Sequence, residues 1–150
     1  MGARVTAFAA MFFVAAVALH TITAQTGSPQ HVTAANAVKF TPMDPKQPNG
    51  MRVSVVSGRL EGPGPVVFFV KLPKGRAPQH KHTSSYHATV ISGQAKHWPA
   101  GGEAKAQVLG PGSHWFQPGN APHGDECLSN ECLFIARYEG PLDNVEVPEK

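Results

Sequence analysis

The stretch HKHTSSYHATVISG, residues 80–93, sets His80, His82 and His87 within eight residues. Imidazoles at this density offer metal chemistry, because a neutral imidazole nitrogen is the commonest protein ligand for a transition metal. A His-x-His pair on an extended segment presents both rings on one side, about 7 Å apart along the backbone at ~3.3 Å per residue. Two ligands hold an ion weakly. A third histidine from another segment would make a three-sided site with open positions, suited to Lewis-acid or redox chemistry. His123, in GSHWFQPGNAPHGDEC, is the candidate, since PGNAP makes a stiff turn before it and a strand candidate follows. A chance cluster of surface histidines is the alternative. No nucleophile elbow and no phosphate loop is present.

Strand parity sorts these residues further. His80, His82, Tyr86, Ala88 and Val90 share one parity, and His87 has the other. If the segment is extended, the five line one face and His87 lies on the opposite one. A bend at Ser84-Ser85 would disturb this. His97 and His114 stand off the pattern and read as packed or surface residues, and His31 as solvated. Trp98, Trp115 and Phe116 read as core or pocket wall, Phe134 and Tyr138 as core. Asp125 and Glu126 read as a solvated loop, with support of the His123 ring as the other reading.

The elements that must carry these side chains are short strands. Fourteen prolines and fifteen glycines in 150 residues punctuate the chain every 8–12 residues. Strands are expected at 51–58, 66–72, 86–93 with 94–98 continuing it, 113–117 and 132–138, with weak alternation at 104–109. Val66, Phe68, Val70 and Leu72 would share a buried face. No segment shows sustained helical periodicity. The pattern predicts an all-β sandwich or barrel, whose interior is filled by side chains or holds one small ligand.

Residues 1–24 carry Arg4, an apolar run from Val5 to Leu19 and a small residue at Ala24, the form of a cleaved secretory signal peptide. The run of ~15 residues is short of the ~20 that a spanning helix needs, so no stable membrane anchor is expected after cleavage. Residues 25–49 read as a flexible arm, and 50–147 as one domain. Cleavage leaves 12 basic and 10 acidic side chains, a net charge of +2, with no basic run, which argues against a nucleic-acid partner. Export would permit a disulfide between Cys127 and Cys132 across the loop LSNE, with a two-cysteine zinc site as the lesser alternative.

The two histidine segments together resemble the paired motifs of the cupin superfamily. Gly75, His80-Lys81-His82, Tyr86 and Gly93 follow the first motif's order of Gly, His-x-His, Glu and Gly. Gly112, Pro118-Gly119-Asn120, His123 and Cys127 follow the second motif's order of Gly, Pro-x-Gly, His and Asn. The likeness spans about residues 50–145 and is to small bacterial single-domain cupins. It implies a double-stranded β-helix, or jelly-roll, barrel. It implies a metal held by His80, His82 and His123: Fe(II), Zn(II), Mn(II), Ni(II) or Cu(II). It also implies a small-molecule substrate or ligand and a homodimer. The departures are Tyr86 at the glutamate position, and Asn120 and Cys127 at the second motif's Gly and Asn. Three readings of the first remain open: a neutral three-His site, a Tyr86 phenolate ligand, or His87 swinging in. The expected function is an exported, secreted or periplasmic, metal-binding cupin. It would be a dioxygenase-type oxidoreductase acting on a small anionic or enolisable substrate, with Tyr86 in a catalytic role. A non-catalytic binding module is the alternative.

Overall fold

A computed structural model describes residues 30–148. The signal-peptide reading of residues 1–24 lies outside the described residues. Residues from Thr33 onward form one compact unit. Nine strands make up its sheet: β1 (Thr41–Pro42), β2 (Arg52–Ser57), β3 (Val66–Arg76), β4 (His80–Lys81), β5 (Tyr86–Ser92), β6 (Ala95–Pro99), β7 (His114–Gln117), β8 (His123–Tyr138) and β9 (Val145–Glu146). Every pairing is antiparallel. Among the described residues there is no α-helix, only two single 3-10 turns. The all-β expectation holds.

β8 is the axis of the fold. Its 16 residues pair with β3 on one side, from Tyr138 opposite Val66 to Glu126 opposite Arg76, and β4 continues that side with His80 opposite His123. On the other side β5 and β6 follow each other along it, from Tyr86 opposite Tyr138 to Pro99 opposite His123. The 94–98 segment therefore does continue the 86–93 strand. The join is at Gly93, whose φ of 87° favours glycine and whose added Cβ would meet the Glu131 carbonyl at 2.7 Å.

The core follows the expected alternation. Val66 and Phe68 are buried, and Val70 and Leu72 pack on the same side. Tyr86, Ala88 and Val90 of β5 meet Phe134, Ala136 and Tyr138 of β8. Three expectations fail. The 104–109 segment is a 3-10 turn at Glu103–Lys105 and a lone bridge from Leu109 to Ala95, not a strand. The last long strand starts at His123 rather than Cys132. Phe116 is exposed, because Trp115 and Gln117 take the inward positions of β7. Cys127 and Cys132 are joined by a disulfide, which closes the excursion of residues 128–130 from the β3–β8 ladder. β1 lies within the segment read as an arm.

Candidate metal centre

Strand register assembles most of the site. His80 on β4 stands directly opposite His123 on β8. Opposed residues in an antiparallel pair bring their Cβ atoms to about 5 Å. Asp125 is two residues further along β8 and so shares the His123 face. Across β8's other edge, His97 on β6 stands directly opposite Asp125. His82 follows β4 before the chain bends at 83–84 into β5. The C-terminal segment clamps this bend. β9 pairs with β4, and the Asp143 carboxylate accepts the Thr83 backbone N–H at 2.9 Å.

The three motif histidines come together. Ring centroids lie 4.4 Å apart for His80 and His123, 4.9 Å for His80 and His82, and 5.2 Å for His82 and His123. One ring nitrogen of each lies within 4.8 Å of the others. Each Nδ1–H donates to a backbone carbonyl: His80 to Pro78 at 2.8 Å, His123 to Ala121 at 3.1 Å, and His82 to Asp143. In a neutral ring anchored this way, Nε2 is the atom left to bind a metal. Such backbone anchoring fixes the tautomer and aims a ligand ring. Burial pushes the His123 ring down to about 4, against the pull of the Asp125 charge and the Ala121 hydrogen bond. Burial also lowers His82. Both rings are therefore neutral near pH 7, the state a metal needs.

Tyr86 reaches the same point from β5. Its hydroxyl lies 3.3 Å from His123 Nε2, to which it donates, and it accepts the Trp115 indole N–H at 3.4 Å. Burial, then the Asp125 charge, raises the phenol well above its ordinary range, so Tyr86 stays protonated in the metal-free protein. Its ring stacks on Tyr138 at 4.5 Å between centroids. His87 is exposed on the opposite face, against Phe116, as its parity requires.

Two residues join the site that the sequence reading set aside. Asp125 lies on a strand, not in a solvated loop, and its side chain is 17% exposed. His97 Nδ1 lies 2.8 Å from Asp125 Oδ1, and His97 Nε2 lies 3.0 Å from Gln117 Oε1. Burial alone would raise the Asp125 carboxyl. The His97 hydrogen bond and the nearby imidazoles outweigh it and hold the carboxyl below its usual range. A cavity of about 480 Å³ opens above these groups, with His80, His82, Tyr86 and Asp125 on its polar side and Phe68, Trp115, Phe134 and Tyr138 among its apolar walls.

No protein-family model matches the chain, and no curated protein matches it in sequence. Solved structures do match in shape. The polyketide cyclase RemF from Streptomyces resistomycificus aligns with a TM-score of 0.63 at 19% identity, covering 81% of this chain and 87% of that one. An RmlC-like cupin from Shewanella frigidimarina aligns at 0.57 and 18%, covering 75% and 92%. The chain has the cupin jelly-roll fold. The DMSP lyase DddQ from Ruegeria pomeroyi also aligns, at 0.59 and 17%, covering 82% and 74%. At these identities the likeness is one of fold. Within the cupin fold Tyr86 stands where the motif has its glutamate, and its neutral phenol supplies no carboxylate.

Proposed function

We propose that this chain is an exported cupin in which His80, His82 and His123 hold one divalent transition metal. The carrying observation is three histidine rings with ligand nitrogens within 4.8 Å of one another, each with Nδ1 bonded to a backbone carbonyl so that Nε2 is left to bind. Nitrogen donors of this kind suit Fe(II), Zn(II), Mn(II), Ni(II) or Cu(II). A bound ion would supply Lewis acidity or oxygen chemistry at the polar side of the cavity. Export is supported by the leader-like residues 1–24 and by the disulfide.

The substrate read from the cavity is small, with an apolar body and an anionic or enolisable head. Phe68, Trp115, Phe134 and Tyr138 exclude water from the body, and a drier site strengthens each polar contact within it. Tyr86, steadied by Trp115, holds a hydroxyl proton that it can share with a substrate oxygen. The reaction proposed is a dioxygenase-type oxidation. The second reading, a binding module without turnover, is favoured by the disulfide, because Fe(II) is hard to keep reduced where disulfides persist. Oxygen uptake by the Fe(II)-loaded protein on a panel of 1,3-diketones and catechols separates the two. Uptake that slows in Tyr86→Phe with metal retained supports the enzyme. No uptake across the panel, with tight zinc binding, supports the binder.

A further inference from the structure

We propose that Asp125 is the fourth protein ligand of the metal centre, supplying from β8 the carboxylate that Tyr86 does not supply from β5, and that His97 is its positioning residue. The proposal rests on the three-histidine reading above. Asp125 Oδ2 lies 3.7 Å from His80 Nε2 and 3.7 Å from His123 Nε2. The Nδ1–H groups of both rings are spent on Pro78 and Ala121, which leaves their Nε2 atoms to face Asp125. A ring nitrogen of His82 lies within 4.8 Å of those of His80 and His123. A carboxylate oxygen among converging imidazole nitrogens is a donor set that a cation would bind. Donors bound tetrahedrally at ~2.0–2.1 Å sit about 3.4 Å apart, close to the 3.7 Å from Asp125 Oδ2 to the His80 and His123 nitrogens.

The other Asp125 oxygen is committed elsewhere. Oδ1 faces His97 Nδ1 at 2.8 Å, and His97 is itself stacked on Trp115 at 4.8 Å and tied to Gln117. Gln117 donates its amide protons to Pro118 and Ala121, at 3.2 and 2.8 Å. Ala121 is the carbonyl that also anchors His123. One chain of contacts thus aims Asp125 Oδ2 and His123 Nε2 at the same point. His97, His123 and Asp125 also form a possible triad of their own. Both His97 nitrogens are already engaged, by Asp125 and Gln117, so the proposal places His97 outside the ligand set.

Zinc affinity by chelator competition and the visible spectrum of the Co(II)-loaded protein test this together. The full mature protein is compared with Asp125→Asn, His97→Gln, Tyr86→Phe and His123→Ala. Asp125→Asn is expected to weaken zinc binding by about 100-fold or more and to shift the Co(II) ligand-field bands. His97→Gln is expected to weaken it by about tenfold with the bands in place, the effect typical of an outer partner. Tyr86→Phe should leave both readouts near wild type. Unchanged Co(II) bands in Asp125→Asn, whatever the affinity, would overturn the proposal and leave a three-histidine site. Failure of the wild-type protein to bind either metal would overturn the underlying reading instead. If Asp125→Asn does not fold, the infrared difference between metal-free and zinc-loaded wild type decides. A shifted carboxylate band pair supports Asp125 as a ligand, and its absence overturns it.

Discussion

His123 carries the strongest pH signature at the residue scale. Its ring titrates at about 4 in the fold, mainly because it is buried, and near 6.5 in the unfolded chain. The unfolded state therefore takes up the proton first as pH falls. Stability from this residue is complete above pH ~6.5 and is lost as pH drops toward 4, by on the order of 3 kcal/mol. His82, lowered in the same direction, adds to the loss over the same window. Asp125, held below its usual range, contributes stability that disappears only under more acid conditions. Urea midpoints of the metal-free protein should fall steadily between pH 7 and 4.5. A flat profile there would contradict the assigned neutral histidines. The sequence placed His80, His82, His123 and Tyr86 at one candidate site, because His-x-His spacing and the proline-glycine turn are local signals, and the structure brings these four together. Asp125 was legible only as the lesser of two readings, and His97 not at all. Their meeting depends on cross-strand register, and that depends on where β8 begins.

At the scale of elements, that starting point explains most of what differed. A strand read from Cys132 leaves Asp125 in a loop, whereas a strand from His123 puts it on the His123 face. The early part of β8 hides itself well: Gly124, Asp125 and Glu126 are poor strand formers. Here the glycine is required by packing and the aspartate by its partner. A Cβ at Gly124 would lie 2.6 Å from the Trp98 ring, which is 2% exposed beneath it. Gly124→Ala should cost about 1–3 kcal/mol through overpacking and disturb the seating of His123. Denaturant melting checks this, and an alanine variant as stable as wild type would mean Trp98 is not fixed against β8. The strands at 52–57, 66–76 and 86–92 were legible because their apolar alternation is strong and glycine or proline bounds them. The weak alternation at 104–109 follows Gly101-Gly102 and ends as a turn, since too few of its residues find a buried face.

On the scale of the whole molecule, one curled sheet wraps a cavity whose polar side carries His80 and Asp125 from strands and His82 from the residue just after β4. Side chains on paired strands are held more closely than those on loops, which suits a site that must hold a fixed geometry. Among the described residues no helix is long and apolar enough to cross a membrane. The export reading predicts that protein recovered from outside the cytoplasm begins at Gln25. N-terminal sequencing checks this, and a retained residue 1–24 segment would count against a cleaved leader. The central claim is that the fold exists to hold a metal at His80, His82 and His123. Elemental analysis of the mature protein, purified without chelator or histidine tag beside a His123→Ala control, tests it most directly. About one equivalent of a transition metal is expected, lost in the control; no metal in the wild-type protein even after reconstitution would contradict a metal centre at these histidines.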